Sequence, residues 1–173
     1  DRYGFAVLED ASHAIGGRYK DEPIGNCSHC AITVFSFHPV KIITTGEGGL
    51  ATTNSFRLAQ QMAELRSHGI TKDIQRFERP APGPWSYEQQ SLGFNYRMTD
   101  LQAALGLSQL QKLDEVVTER NRQWQRYREL LSDLPVNLLT VPEDVLSSFH
   151  LGVIRLTDPD PDHHRYIFEG LRN

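Results

Sequence analysis

The residues best suited to chemistry lie in Ser36-Phe37-His38-Pro39-Val40-Lys41 and in the run Thr44-Thr45-Gly46-Glu47-Gly48-Gly49 that follows. An apolar stretch from Ala31 to Phe37 precedes the lysine and a glycine-rich turn succeeds it, so a buried strand would deliver the Lys41 amine into a crowded loop. A lysine desolvated beside cationic or polar groups loses part of its preference for the protonated form and becomes nucleophilic enough to form an imine with an aldehyde. The Ser36 hydroxyl is placed to bond a phosphate, and the glycines let backbone approach a flat ligand closely. Taken alone, the same pattern also describes a solvated surface lysine after a strand.

A second candidate comes from the start of the chain. Gly4-Phe5-Ala6-Val7-Leu8 is a continuous apolar run of strand length and reads as a strand buried on both faces of a parallel sheet, ending in Glu9-Asp10. Asp10 then stands at the carboxyl edge, where open α/β sheets bind ligands. Residues 11–17, with His13, read as a turn or short helix, and the polar stretch with Pro23 and Gly25 as a hairpin or loop. Ala31 to Phe37 is the second strand and Gly49 to Thr53 the third. Asn54 or Ser55 then caps a helix with Leu58, Met62 and Leu65 at helical spacing. Strand, loop and helix alternate as in an α/β layer fold.

Residues 70–95 break the rhythm with Pro80, Pro82, Gly83 and Pro84; a loop of this length acts as a lid or as an arm towards a neighbouring subunit. Thr99 and Gln102 spell a capping box for a helix carrying Leu101, Ala104, Leu105 and Leu110, and a second helix runs from Asp114 to before Pro135. Beyond Val136 the pattern gives a strand over His150–Leu156 and a helix opened by Asp158-Pro159 that runs towards Asn173. One strand and one helix cannot close a core. Together with the abrupt opening on a buried strand, this makes the chain look like an internal fragment, with a second domain cut off.

Composition narrows the function. At 173 residues the chain suits one domain, and 18 basic against 22 acidic residues, with no Lys/Arg cluster, argue against a nucleic-acid partner. No apolar run is long enough to cross a bilayer, and Asp1-Arg2-Tyr3-Gly4 does not resemble a signal peptide, so a cytoplasmic protein is expected. Cys27-Ser28-His29-Cys30 invites a metal or redox reading, but a closed zinc site wants four ligands; two reduced thiols flanking a turn and no metal are expected. Adjacent His163 and His164 read as a solvated helix start.

Taken together, Glu9-Asp10-Ala11-Ser12-His13-Ala14, Ser36-Phe37-His38-Pro39-Val40-Lys41, Thr45-Gly46-Glu47-Gly48-Gly49, Arg66-Ser67-His68-Gly69 and Asn95-Tyr96-Arg97-Met98-Thr99-Asp100 resemble the DegT/DnrJ/EryC1/StrS sugar aminotransferases. The motifs come in that family's order and spacing over nearly the whole chain. The resemblance implies the α/β fold of pyridoxal-phosphate (PLP) enzymes of fold type I, the aspartate-aminotransferase-like class, with a mostly parallel sheet. It divides the chain into residues 1–112 of a cofactor-binding large domain, a linking helix over 113–135 and the start of a small α+β domain over 136–173.

The resemblance also implies roles. Lys41 would hold the cofactor as an internal aldimine and then move protons; Asp10 would pair with the pyridine nitrogen; His13 would lie near the ring or steady Asp10. Ser36 would bond the phosphate, and Asn95 would reach the phosphate in a neighbouring subunit of a homodimer. His38 and Glu47 carry no assigned role, and His150, which matches a position near the substrate, reads as structural. Within the family the residues around Lys41 are most similar to the branch that aminates C4 of a UDP-linked 4-keto-6-deoxy-N-acetyl-hexosamine in pseudaminic acid biosynthesis, with glutamate as donor. A dehydratase branch has histidine at the lysine position; Lys41 favours amination. The alternative is a non-catalytic homologue or fragment that keeps only the subunit interface, against which stands the joint presence of Lys41, Asp10 and Ser36.

Overall fold

The computed structural model describes residues 3–172, so Asp1, Arg2 and the expected helix end at Asn173 lie outside the described residues. The chain opens with β1 (Leu8–Asp10), a hairpin of β2 (Arg18–Tyr19) and β3 (Glu22–Pro23), then β4 (Ile32–Ser36), β5 (Gly49–Thr52) and α1 (Phe56–Leu65). β4 is central: β1 runs parallel to it, with Glu9 opposite Thr33 and Asp10 opposite Val34, and β5 runs antiparallel on its other edge. Alternation along β4 buries Thr33 and Phe35, and Phe35 joins Ala11, Phe37 and Ile43 in the core. β5 can close on β4 because Gly49 has no side chain; a Cβ there would lie 2.7 Å from the Phe35 carbonyl oxygen.

The first strand differs from its expectation. It spans Leu8–Asp10, later than Gly4–Leu8, and is not buried on both faces, since Phe5 is 71% and Leu8 61% exposed. Its cause is the sheet order: among the described residues β1 pairs with β4 alone. The expected cap of α1 proves to be Ser55, whose hydroxyl accepts from the Leu58 N–H.

Residues 70–95 fold as an arm. β6 (Ile70–Thr71) pairs antiparallel with β7 (Glu88–Gln89), and between them a single 3₁₀ turn, Ile74–Arg76, is capped by Asp73. The Arg76 guanidinium grips both oxygens of Glu64 on α1 and holds that carboxyl below its usual range. At the root of the arm Gly69 adopts φ 68°, and a Cβ there would collide with the Ser91 carbonyl.

The capping box predicted for α2 (Asp100–Leu110) is present: Thr99 Oγ1 accepts from Gln102 N and Gln102 Oε1 accepts from Thr99 N. α3 (Leu113–Leu130) buries Val117 and Trp124. After it come β8 (Val136–Leu138), β9 (Val145–Leu146), β10 (Ile154–Leu156) and α4 (Pro161–Gly170). β10 pairs with β8, so the region has two paired strands where one was expected, and β9 pairs with β2.

The strand expected over His150–Leu156 is confined to Ile154–Leu156. Phe149 stacks on Trp124 with centroids 4.9 Å apart and Gly152 packs against the same indole, which holds 149–152 to α3 as a bend. α4 starts two residues later than expected, with Asp160 as cap and Pro161 in the first turn, because Asp158 is engaged by His163 Nδ1 and the Asp160 N–H.

Trp124 is therefore the clamp between α3 and the 147–150 segment. Trp124→Ala is expected to lower stability by about 3–5 kcal/mol, read from denaturant unfolding, whereas Thr99→Ala, which removes a cap, should cost about 1 kcal/mol.

Candidate active site

Parallel pairing in register sends β1 and β4 out of the sheet at one edge, so Asp10 and Ser36, two residues past Val34, leave on the same side. The chain continues from Ser36 into a loop braced around one carbonyl: the Phe37 oxygen accepts from Thr44 Oγ1 at 2.9 Å and Thr45 N at 3.1 Å, while Phe37 N donates to Gly48 O at 2.9 Å. Gln109 of α2 reaches in to accept from Thr44 N at 3.1 Å. Within this frame Lys41 N donates to His38 O in a turn, and the Lys41 side chain is half-buried. His38 is exposed; Glu47 contributes its carbonyl to Thr45 Oγ1, a loop contact.

Asp10 is fixed by its own turn. Ser12 donates to Asp10 Oδ1 from both its hydroxyl and its backbone N–H, and these bonds, aided by the cations His13 and Lys41, hold the carboxyl below its usual range despite some desolvation. Asp10 is thus an ionised carboxylate with Lys41 close enough to act on it.

His13 faces His150, ring centroids 4.3 Å apart. Four bonds set the segment that carries His150: Arg120 Nη1 to the Phe149 carbonyl at 2.9 Å and to the His150 carbonyl at 3.4 Å, Asn121 Nδ2 to the Ser147 carbonyl at 2.9 Å, and Ser148 Oγ to the His13 carbonyl at 3.2 Å. His150 Nδ1 is buried without a hydrogen-bond partner. Burial first, then the charges of His13, Lys41 and Arg120, push its imidazole below the ordinary histidine value.

The structure therefore gathers Asp10, His13 and Lys41 into one electrostatic neighbourhood, with Ser36 at the same edge, and adds His150, which sequence reasoning set aside as the start of a strand. The signal for His150 is tertiary: only α3 and the Trp124–Phe149 stack bring it onto His13. Asn95 is not brought to this group within the chain. It is exposed and bridges Ser67, in a segment tied to the end of α1 by Phe94 N to Leu65 O and Tyr96 N to Arg66 O. Among the described residues no group of three His, Cys, Asp or Glu side chains is gathered as a metal site, and no helix is long and apolar enough to cross a membrane.

The sequence profile of the DegT/DnrJ/EryC1/StrS aminotransferase family matches residues 1–173. Among solved structures, PseC of Helicobacter pylori, an aminotransferase involved in the biosynthesis of pseudaminic acid, superimposes with a TM-score of 0.86 at 32% identity over 99% of this chain and 43% of its own. Spr1654 of Streptococcus pneumoniae in its PLP form gives 0.83 at 29% identity over 96% of this chain and 41% of its own. An aminotransferase of Brucella abortus gives 0.79 at 28% identity over 98% and 42%. The chain spans about two-fifths of the length of these relatives. The profile match over residues 1–173 makes this chain a member of the DegT/DnrJ/EryC1/StrS aminotransferase family, and the superpositions give it the α/β fold of PLP-dependent aminotransferases.

Proposed function

We propose that the protein carrying this chain transfers an amino group from glutamate to a nucleotide-linked keto-deoxy sugar, at C4 of a UDP-4-keto-6-deoxy-N-acetyl-hexosamine, using PLP. The observation that carries this reading is the in-register parallel exit of β1 and β4 at one edge, which puts ionised Asp10 and the Lys41 loop within electrostatic reach of each other and of the His13–His150 pair. Similarity to PseC supports the sugar and the position of amination.

The donor set fits the cofactor: an amine and a fixed carboxylate lie near each other, and a buried imidazole nitrogen has no protein partner. When bound, PLP supplies an electron sink through its protonated ring. Asp10 is the group to keep that ring protonated, because Ser12 holds its carboxylate ionised and both Ser12 bonds fall on Oδ1. Lys41 Nζ would hold the cofactor's aldehyde carbon and, once released, accept and return the proton that moves in the exchange. Ser36 would bond the phosphate, and His13 would steady Asp10 and pack beside the ring. Asn95, on the rim beyond α1, would reach the phosphate in the partner of a homodimer, which gives the arm over 70–95 a purpose.

In this reading residues 1–112 belong to the cofactor-binding domain, 113–135 to a linking helix and 136–173 to a small domain, and the enzyme works in the cytoplasm on soluble substrates.

The complete protein mixed with PLP should show a visible absorption band that Lys41→Ala abolishes; identical spectra would refute the assignment. Asp10→Asn should lower kcat by about 10²–10³-fold with little loss of stability, since Asp10 is exposed. His150 adds a pH dependence. Its folded value lies below the ordinary 6.5, so the unfolded chain binds the proton first and stability falls as pH drops from about 6.5 through the lowered value. His150→Asn should flatten that limb of the pH–stability curve.

A further inference from the structure

We propose that Cys27 and Cys30 form a dithiol site that a hydroperoxide oxidises to a reversible intrachain disulfide. This inference does not rest on the transaminase reading, although the cavity it uses is also lined by His13. The two sulfurs meet around one atom. Cys27 Sγ lies 3.4 Å and Cys30 Sγ 3.1 Å from Thr33 Oγ1, and Thr33, fully buried, donates its own proton to Glu9 Oε2 at 2.7 Å. The Thr33 oxygen therefore contacts both thiols with its lone pairs and holds them on the same side of β4. Cys27 comes back towards β4 because it takes a left-handed turn, φ 55°.

Both cysteines are unpaired thiols, Cys27 buried and Cys30 half-buried, and both line a cavity of about 930 Å³ together with Val7, Glu9, His13 and His29, ample for a small peroxide. Each acts on the other's ionisation, and in opposite directions. Burial would raise Cys27, while its contacts with Thr33, Thr52 and Cys30 lower it; burial, the Cys27 sulfur and the Glu9 carboxylate raise Cys30 despite its Thr33 contact. Either sulfur can meet the peroxide first, and the other then lies across Thr33 Oγ1 from it to resolve.

One cysteine sulfur attacks one peroxide oxygen and the O–O bond breaks; the alcohol, or water from hydrogen peroxide, leaves with the thiol proton, and that cysteine becomes a sulfenic acid. The other sulfur then attacks the oxidised one, the S–O bond breaks, and water departs with the second thiol's proton. Two electrons pass from the thiols to the peroxide, and a dithiol reductant reverses the closure. Closure also withdraws both sulfur contacts from Thr33, leaving it to Glu9, the residue next to Asp10.

Chain cleavage makes the test direct, because no Lys or Arg lies between Lys20 and Lys41 and one tryptic peptide holds both cysteines. The full chain is treated with hydrogen peroxide, blocked with iodoacetamide and digested. The 21–41 peptide should appear unalkylated and two hydrogens lighter, and dithiothreitol before blocking should restore the doubly alkylated form. With dimedone as trap, Cys30→Ser should label at Cys27 and Cys27→Ser at Cys30, since each variant keeps one thiol and loses the partner that resolves its sulfenic acid. A wild-type peptide that stays doubly alkylated, or that passes to sulfinic acids without cross-linking, overturns the proposal.

Discussion

The pairing of β1 with β4 is the constraint on which everything else rests. It is parallel and in register at Leu8–Ile32, Glu9–Thr33 and Asp10–Val34, so the two chains leave the sheet at one edge and carry Asp10 and Ser36 out together. A one-residue slip would turn every side chain of β1 to the other face. It would also separate Glu9 from Thr33, whose hydroxyl bonds the Glu9 carboxylate at 2.7 Å under the sheet. Thr33 is fully buried, so leaving its hydroxyl without that partner is costly, which discriminates between registers.

Two further devices convert the edge into a site. The Phe37 carbonyl, accepting from Thr44 and Thr45, ties the loop after β4 into a closed frame, and Gln109 ties that frame to α2. On the other side α3 fastens residues 147–150 through Arg120, Asn121 and the Trp124–Phe149 stack, which brings His150 to His13. The exposed Asp10 carboxylate and the half-buried Lys41 then stand near the His150 imidazole, whose Nδ1 is buried. Asp10 is driven further into its ionised form and His150 towards its neutral form, so the neighbourhood keeps an anion beside the Lys41 amine and a neutral imidazole behind it.

Much of this was legible in the residues. The capping box at Thr99 and Gln102, the hairpin around Pro23, β4 and the helix after Ser55 follow from local chemistry, and the structure has them. What local pattern could not give is what tertiary contacts decide. The apolar run at Gly4–Leu8 reads as doubly buried because periodicity cannot see which neighbours flank a strand. His150–Leu156 has strand composition, yet the indole of Trp124 claims Phe149 and Gly152 first. Asp158-Pro159 and Asp160-Pro161 offer equivalent helix starts, and the His163 contact to Asp158 selects the second. At the site, strand ends and the lysine loop were readable, whereas His150 lies 137 positions beyond His13 in sequence and only the fold joins them.

The account stands or falls on whether Lys41 and Asp10 serve one ligand. A crystal structure of the complete protein grown with pyridoxal phosphate tests this most directly. The account predicts density continuous from Lys41 Nζ to the cofactor's aldehyde carbon and the Asp10 carboxylate within hydrogen-bond reach of the ring nitrogen. A cofactor joined to another lysine, or a ring nitrogen facing a group other than Asp10, would contradict it.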